Sequence, residues 1–251
     1  VAAENLSRVT EIIMNWQVKW VRFWETMSNP YWTGLFFKGL LNTVLIAVCG
    51  LLIGIVVGTL IAMVKVAPKY KRVVRVLDKI CSVYVAIFRG TPMVVQLLIT
   101  YYVLLPAIGA KGVEAINVGI VVFGLNSGAY VSEIMRGGIN SVDRGQLDAG
   151  RALGLTYGTS MIKIVIPQAV KNILPTLGNE FITLIKETSV VSFITVYDLY
   201  TVMRAIGNKN YEFMMPYLFM AVVYIVLVLL ITLLVKCVEK ALSKSDNKRS
   251  A

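Results

Sequence analysis

Residues 35–64 are apolar apart from Lys38, Asn42, Thr43 and Thr59. A helix needs about 20 such residues to cross a hydrocarbon core of about 30 Å, so this run alone commits the chain to a bilayer. Within it Gly50, Gly54 and Gly58 recur every fourth residue, a stripe of small side chains that lets a second helix approach closely. The composition agrees: 57% of the 251 residues are hydrophobic and only 16% charged, whereas in a soluble domain the apolar share stays below half.

The net charge of +11 raises the question of nucleic acid, but the basic residues lie between apolar runs, not on one face among aromatics. A nucleic-acid partner is therefore excluded, and the positive-inside rule accounts for the charge. Cys49, Cys81 and Cys237 are an odd, scattered set and the chain has no histidine, so neither a disulfide framework nor a Cys/His metal site is expected. The opening Val1-Ala2-Ala3-Glu4 lacks the basic flank and apolar core of a cleaved leader.

Residues 1–32 form an arm. Val9, Ile12, Ile13, Trp16, Trp20, Phe23 and Trp24 recur at helical spacing among Glu11, Lys19, Arg22 and Glu25, which suits either a helix lying in the membrane interface or one packed on the protein's outer rim. Residues 33–240 form the membrane domain and residues 241–251 a basic tail. Lys65, Lys69, Lys71, Arg72, Arg75 and Lys79 after the first span mark the cytoplasmic side and make a basic patch for anionic lipid. The second apolar run, 76–105, is broken at Arg89-Gly90-Thr91-Pro92; freed backbone groups at that depth must face protein or a water-filled cavity, which makes 89–96 a cavity wall. A third span, 116–134, carries Asn126, Tyr130 and Glu133 on one face and is expected to end at Gly137-Gly138. These polar groups serve interhelical hydrogen bonds or a transport path.

Residues 140–167 are too polar for lipid and carry Arg144, Arg151 and Lys163, a cytoplasmic loop by the same rule. Its pattern predicts a short helix through Gln146, Asp148, Ala149 and Gly150, a stop at Gly154, a second amphipathic piece through Ile164, and an interruption at Pro167. Residues 168–206 as one straight helix would reach about 58 Å, so a break is expected at Lys186-Glu187-Thr188-Ser189, with Thr188 or Ser189 capping an outer segment over 190–204. Asn179 and Glu180 then fall near mid-membrane, where an acid is a functional candidate by default; the alternative is an ion pair of Glu180 with Lys186 or Arg89. A turn at 207–210 leads to the last span, 213–235. The expected fold is an all-α integral membrane protein of about five transmembrane helices, N-terminus outside and C-terminus inside.

Asp148-Ala149-Gly150, with Gly154, Ile164 and Pro167 at the following positions, resembles the EAA loop of the membrane subunits of ATP-binding-cassette importers, in which Glu-Ala-Ala is followed by Gly and then by Ile-x-Leu-Pro at the same spacing. Here Asp148 replaces Glu, Gly150 the second Ala and Ile166 the Leu. Phe88-Arg89-Gly90-Thr91-Pro92, Ala129-Tyr130, Gly145-Gln146, Pro167-Gln168-Ala169, Gly178-Asn179-Glu180-Phe181-Ile182 and Lys186-Glu187-Thr188-Ser189 further resemble the polar amino-acid permeases of the histidine, arginine and glutamine uptake type. The resemblance implies the type I importer permease fold in a bacterial cytoplasmic membrane. It also implies a cytoplasmic ATPase dimer seated on the coupling residues Gln146, Asp148, Ala149, Gly150, Gly154, Ile164 and Pro167. A second permease chain, identical or related, an extracytoplasmic substrate-binding protein, membrane lipid and a polar amino acid complete the implied partners. The chain has no G-x-x-x-x-G-K-[ST] phosphate loop, so it is not expected to be an enzyme or to hold a cofactor; ATP and Mg belong to the ATPase. Substrate candidates are Asn179 and Glu180, then Gln96, Thr183 and Tyr130. Glu180 suits an ammonium group, and Asn179 a carboxylate or amide.

Two other readings remain open at this point. An ion-coupled secondary amino-acid transporter would use Glu133, Glu180 and Glu187 as proton carriers, although five crossings without an inverted repeat are few for one. A membrane scaffold would explain the spans but not Asn179 and Glu180.

Overall fold

Long apolar runs interrupted by Gly, Pro and basic connectors give a chain that is helical throughout, with no strand among the described residues. The computed structural model describes the backbone of residues 2–247 and the side chains of residues 14–241. The positions Val9, Glu11, Ile12 and Ile13 of the arm and nearly all of the basic tail lie outside the described side chains.

The helices are α1 (Ala2–Met27), α2 (Pro30–Val66), α3 (Arg72–Gly90), α4 (Met93–Ala107), α5 (Ala115–Asn140), α6 (Arg144–Ala152), α7 (Tyr157–Ile194), α8 (Leu199–Asn210) and α9 (Met214–Asn247). Three, α2, α5 and α9, are individually long and apolar enough to cross a membrane. Counting the bent pairs α3–α4 and α7–α8 as one span each makes five.

The α2–α5 pair is the spine, and the glycine stripe makes it. A Cβ on Gly54 would lie 2.6 Å from Ser127 Oγ, and one on Gly58 2.7 Å from Val131 Cβ. In return, one on Gly124 would lie 2.5 Å from Ile53 Cγ2. Only hydrogens fit at these crossings, so the backbones approach as the stripe predicts. Around this pair Ile46, Leu97, Val122, Phe123, Leu184, Ile185, Val191 and Ile194 bury a common core drawn from α2, α4, α5 and α7. By contrast α9 leaves Leu218, Val222, Ile225, Leu229 and Leu233 exposed, an apolar outer face fit for lipid.

Several boundaries differ from those expected. Helix α5 continues through Gly137-Gly138 to Asn140, because Gly138 is a crossing point: a Cβ there would lie 2.3 Å from Ile173 Cγ1 of α7. Pro167 does not interrupt α7. The helix widens into a π turn over Met161–Val165 immediately before it, which relieves the clash of the proline ring with the preceding turn. The same device, over Thr100–Leu104, precedes Pro106 in α4.

The break falls not after Glu187 but at 195–198, where α7 and α8 bend by 57° and Thr195 is left-handed (φ 65°), and Thr188 and Ser189 do not cap the next helix. Thr188 Oγ1 donates back to Ile185 O at 2.7 Å, and the chain tightens into a 3-10 turn over Thr188–Ile194. The cap is the fully buried Asp198, whose carboxylate accepts from Tyr200 N at 3.1 Å and from Thr201 N and Oγ1 at 2.9 and 2.6 Å. Helix α8 then runs through Asn210, so the turn lies at 211–213, where Tyr211 is left-handed (φ 51°) and Glu212 accepts from Met214 N and Met215 N at 2.9 and 3.1 Å.

The arm joins the body by its last turns. Phe23 and Met27 are buried against a cluster with Phe36, Leu199, Met203 and Phe219, Lys19 Nζ lies 3.7 Å from a Glu212 carboxylate oxygen, and Asn210 Nδ2 donates to Thr26 Oγ1 at 3.0 Å. Trp16 and Trp20 stay exposed beyond this contact.

Candidate functional site: a loop helix and a polar helix face

The loop between α5 and α7 is rigidly built. Asp143 Oδ1 accepts from Gly145 N at 2.8 Å to start α6. At its end Gly154 takes φ +82°, with Gly154 N donating to Arg151 O and Leu155 N to Gly150 O at 3.0 and 3.1 Å. This glycine-terminated double bond closes a helix C-terminus without strain. Gly150 is buried, and a Cβ there would lie 2.8 Å from both Ile164 Cδ1 and Ser160 Oγ. The glycine that stands in place of alanine therefore seats α6 on α7, with Ile164 as the other half of the contact. Gln168 Nε2 lies 3.4 Å from Gln146 Oε1, and Tyr157 OH donates to Val66 O at 3.2 Å, tying the loop to the end of α2.

The opposite surface of α6 has no intramolecular use among the described residues. Asp148 and Ala149 are exposed, and Leu153 is 82% exposed. Beside them lies a cavity of about 400 Å³ lined by Val66, Asn140, Asp143, Arg144, Leu147, Asp148, Tyr157 and Met161 among others. A short, firmly anchored helix with a bare outer face is suited to transmit a push from a bound partner as a rigid displacement.

On α7, Ile173, Leu177, Leu184 and Ile185 are buried against the protein. The other face carries Asn172, Thr176, Asn179, Thr183 and Lys186, spaced alternately four and three residues apart, so they form one line along the helix. All five are exposed. Polar groups in a spanning helix do not face lipid, so this line borders water or another chain.

Glu180 lies beside the line and is half-buried; Ser127 Oγ donates to its Oε1 at 3.0 Å. The alternative considered for Glu180, an ion pair with Lys186 or Arg89, is not formed: the side chain turns toward α5, where the glycine-lined crossing brings Ser127 within reach. Thr183 Oγ1 donates to Asn179 O at 3.0 Å.

The remaining candidates sit around the α3–α4 break, where the two helices bend by 106°. The Gln96 amide nitrogen lies 2.8 Å from Phe88 O and 3.0 Å from Thr91 O, and Asn126 Nδ2 donates to Gln96 Oε1 at 3.0 Å. Gln96 thus satisfies the carbonyls that the break frees, while Tyr130 borders a separate cavity. The Arg89 guanidinium lies 5.3 Å from the Tyr130 ring centroid. Arg89, Tyr130 and Glu133 line an open cavity of about 430 Å³ together with Ser141, Asn172 and Thr176. Glu133 itself is paired, with Lys65 Nζ at 2.9 Å and Arg136 Nη2 at 2.6 Å.

The structure therefore brings Tyr130 to the cavity that the lower part of the α7 line borders and sets Asn179, Glu180 and Thr183 along that line, with Gln96 behind the wall. In the sequence Ser127 counts only among the polar groups of the third span, not as a site residue, and the line on α7, legible in the spacing of 172, 176, 179, 183 and 186, is not recognised there.

Comparison with known proteins agrees with this geometry. The arginine transport system permease protein ArtQ of Bacillus subtilis is 38% identical over 209 residues, 83% of this chain and 93% of that protein. A putative glutamine transport system permease protein GlnP of Rickettsia conorii is 39% identical over 212 residues, covering 84% and 94%. The crystal structure of an amino acid ABC transporter with histidines matches with a TM-score of 0.77 at 37% identity, over 86% of this chain and 98% of that one. An inward-facing MetNI methionine ABC transporter shares the fold at a TM-score of 0.72 and 19% identity, over 86% and 99%. The model of the binding-protein-dependent transport system inner membrane component family matches residues 50–244, and the chain belongs to that family of multi-pass inner-membrane permeases.

Proposed function

We propose that the chain is the membrane subunit of an ATP-driven importer of polar amino acids. Its bent spans line the path, and α6 receives the motion of a separate ATPase. The single observation that carries the reading is the exposed polar line on α7, which demands a watery path or a second chain beside it. Relatives named for arginine and glutamine transport support a polar amino acid as cargo. Family membership also rules out the ion-coupled carrier, so the intramembrane acids need no proton-carrying role.

In this reading two permease chains, identical or related, set their α7 lines across a shared path. Asn179, Glu180, Thr183 and Tyr130 face the cargo, and Gln96 holds the wall. An ATPase dimer carrying ATP and Mg docks on the bare face of α6 around Asp148, and a substrate-binding protein delivers at the opposite end. The basic connector at 65–79 and the basic end of α9 lie in the cytoplasm, and the arm outside. ATP binding and substrate delivery must favour the same outward-open state for transport to be vectorial. Reconstitution in vesicles tests this: uptake of labelled arginine or glutamine is expected only with the ATPase subunit, the binding protein and ATP together. Uptake without ATP would refute the assignment.

A further inference from the structure

The 430 Å³ cavity beside α7 contains a cation without a carboxylate. Arg89 is exposed at the C-terminal end of α3, in the middle of a span where an uncompensated guanidinium is not tolerated against lipid. Its one described contact is the Tyr130 ring. The acid that lines this cavity, Glu133, is taken by Lys65 and Arg136, and the Glu180 carboxylate turns instead to the Ser127 hydroxyl. The planar fork of five N–H donors is therefore open to the cavity, and that fork matches a carboxylate in two parallel hydrogen bonds.

The position of Arg89 relative to the acid is equally telling. Its ring partner, Tyr130, and the hydroxyl that holds Glu180, Ser127, are three residues apart on α5 and so occupy successive turns of one helix. A cation without a carboxylate partner and a singly hydrogen-bonded carboxylate thus contact α5 at residues three apart, the first in the cavity and the second beside the polar line of α7. A zwitterion with a carboxylate at one end and an amino or polar group at the other suits such a pair.

We infer that Arg89 binds the α-carboxylate of the transported amino acid, with the Tyr130 ring fixing the guanidinium plane, while Glu180 meets the amino or side-chain end. This rests on the reading of the chain as an amino-acid importer. It makes Arg89 the group that distinguishes an amino acid from its uncharged derivatives, whatever the side chain. Lys186 is the competing cation on the same helix face as Asn179, but its ammonium is a point charge without the fork.

The test is direct binding to the purified permease–ATPase complex without the binding protein, which has a recognition site of its own. Arginine and glutamine compete against their α-carboxamides, which keep the side chain and lose the anionic group. The intact complex is expected to prefer each acid by at least about 10-fold, the scale of a charge-assisted hydrogen bond. Arg89→Gln is expected to bring the acid to within about 2-fold of the amide, and Arg89→Lys to fall between. Glu180→Gln is expected to weaken arginine while leaving the acid-over-amide preference. Co-elution of each variant with the ATPase and an unchanged thermal midpoint separate these effects from misfolding. The inference is overturned by an intact complex that transports yet shows no preference, by a preference that survives in Arg89→Gln, or by its loss in Lys186→Gln instead. If the full system with ATP moves no member of a panel of labelled amino acids, the amino-acid reading itself falls, and this assignment with it.

Discussion

Asp198 shows how one side chain holds an outer corner of the molecule. Its carboxylate satisfies the N–H groups of Tyr200 and Thr201, and the first helical N–H, that of Leu199, reaches Thr43 Oγ1 of α2 at 3.2 Å. A buried donor left without a partner is destabilising by about 1–3 kcal/mol, and loss of a helix cap by about 1 kcal/mol. Asp198→Ala is therefore expected to lower stability by about 2–3 kcal/mol, read as a shift of the thermal midpoint in detergent, with Asp198→Asn recovering part of it. The same logic applies to Gly54. A methyl group 2.6 Å from Ser127 Oγ must push α2 away from α5, and overpacking of this kind is destabilising by about 1–3 kcal/mol. Gly54→Ala is expected to shift the midpoint too, and to disturb Glu180, because Ser127 is the residue displaced.

At the scale of the element, α6 is a lever whose two faces have different tasks. Gly150 and Ile164 face inward and fix its seat, whereas Asp148, Ala149 and Leu153 face out. Asp148→Arg is expected to reduce co-elution with the ATPase at least about 10-fold without moving the thermal midpoint, since an exposed charge contributes little to folding. Gly150→Leu should reduce both, because it unseats the helix. The stop at Gly154 and the glycine stripe of α2 were legible in the sequence, because positive φ and four-residue spacing are local signals. The role of Gly138, the passage of α7 through Pro167 and the cap at Asp198 were not. Each depends on what lies across the contact: Ile173 opposite Gly138, a widened turn that a proline can use, and a hydroxyl on α2 that completes the α8 start. The candidate site divides in the same way. The polarity of Asn179 and Glu180 at mid-span was visible in the sequence, but the use of Gln96 to hold the break, and the choice of Ser127 over a cation by Glu180, follow from tertiary packing.

For the whole molecule the contrast between α7 and α9 sets the expected assembly. Both are exposed in the isolated chain, yet α7 offers Asn172, Thr176, Asn179 and Thr183, and α9 offers Val222, Ile225, Leu229 and Leu233. Lipid accepts the second surface and rejects the first, so the second permease chain of the proposed importer is set on the α7 side. In a chain whose Cys49, Cys81 and Cys237 are replaced by serine, a cysteine at Thr176 is expected to cross-link two permease chains through a short bifunctional thiol reagent. A cysteine at Leu229 is expected to stay monomeric and to react only with membrane-soluble thiol reagents. Because a path that opens to alternate sides must change the separation of the two α7 lines, the Thr176 cross-link should differ in yield between the ATP-bound and nucleotide-free complexes. Equal yields in both states would leave the polar line of α7 as a fixed interface outside the path, and cross-linking through Leu229 in place of Thr176 would move the interface to α9.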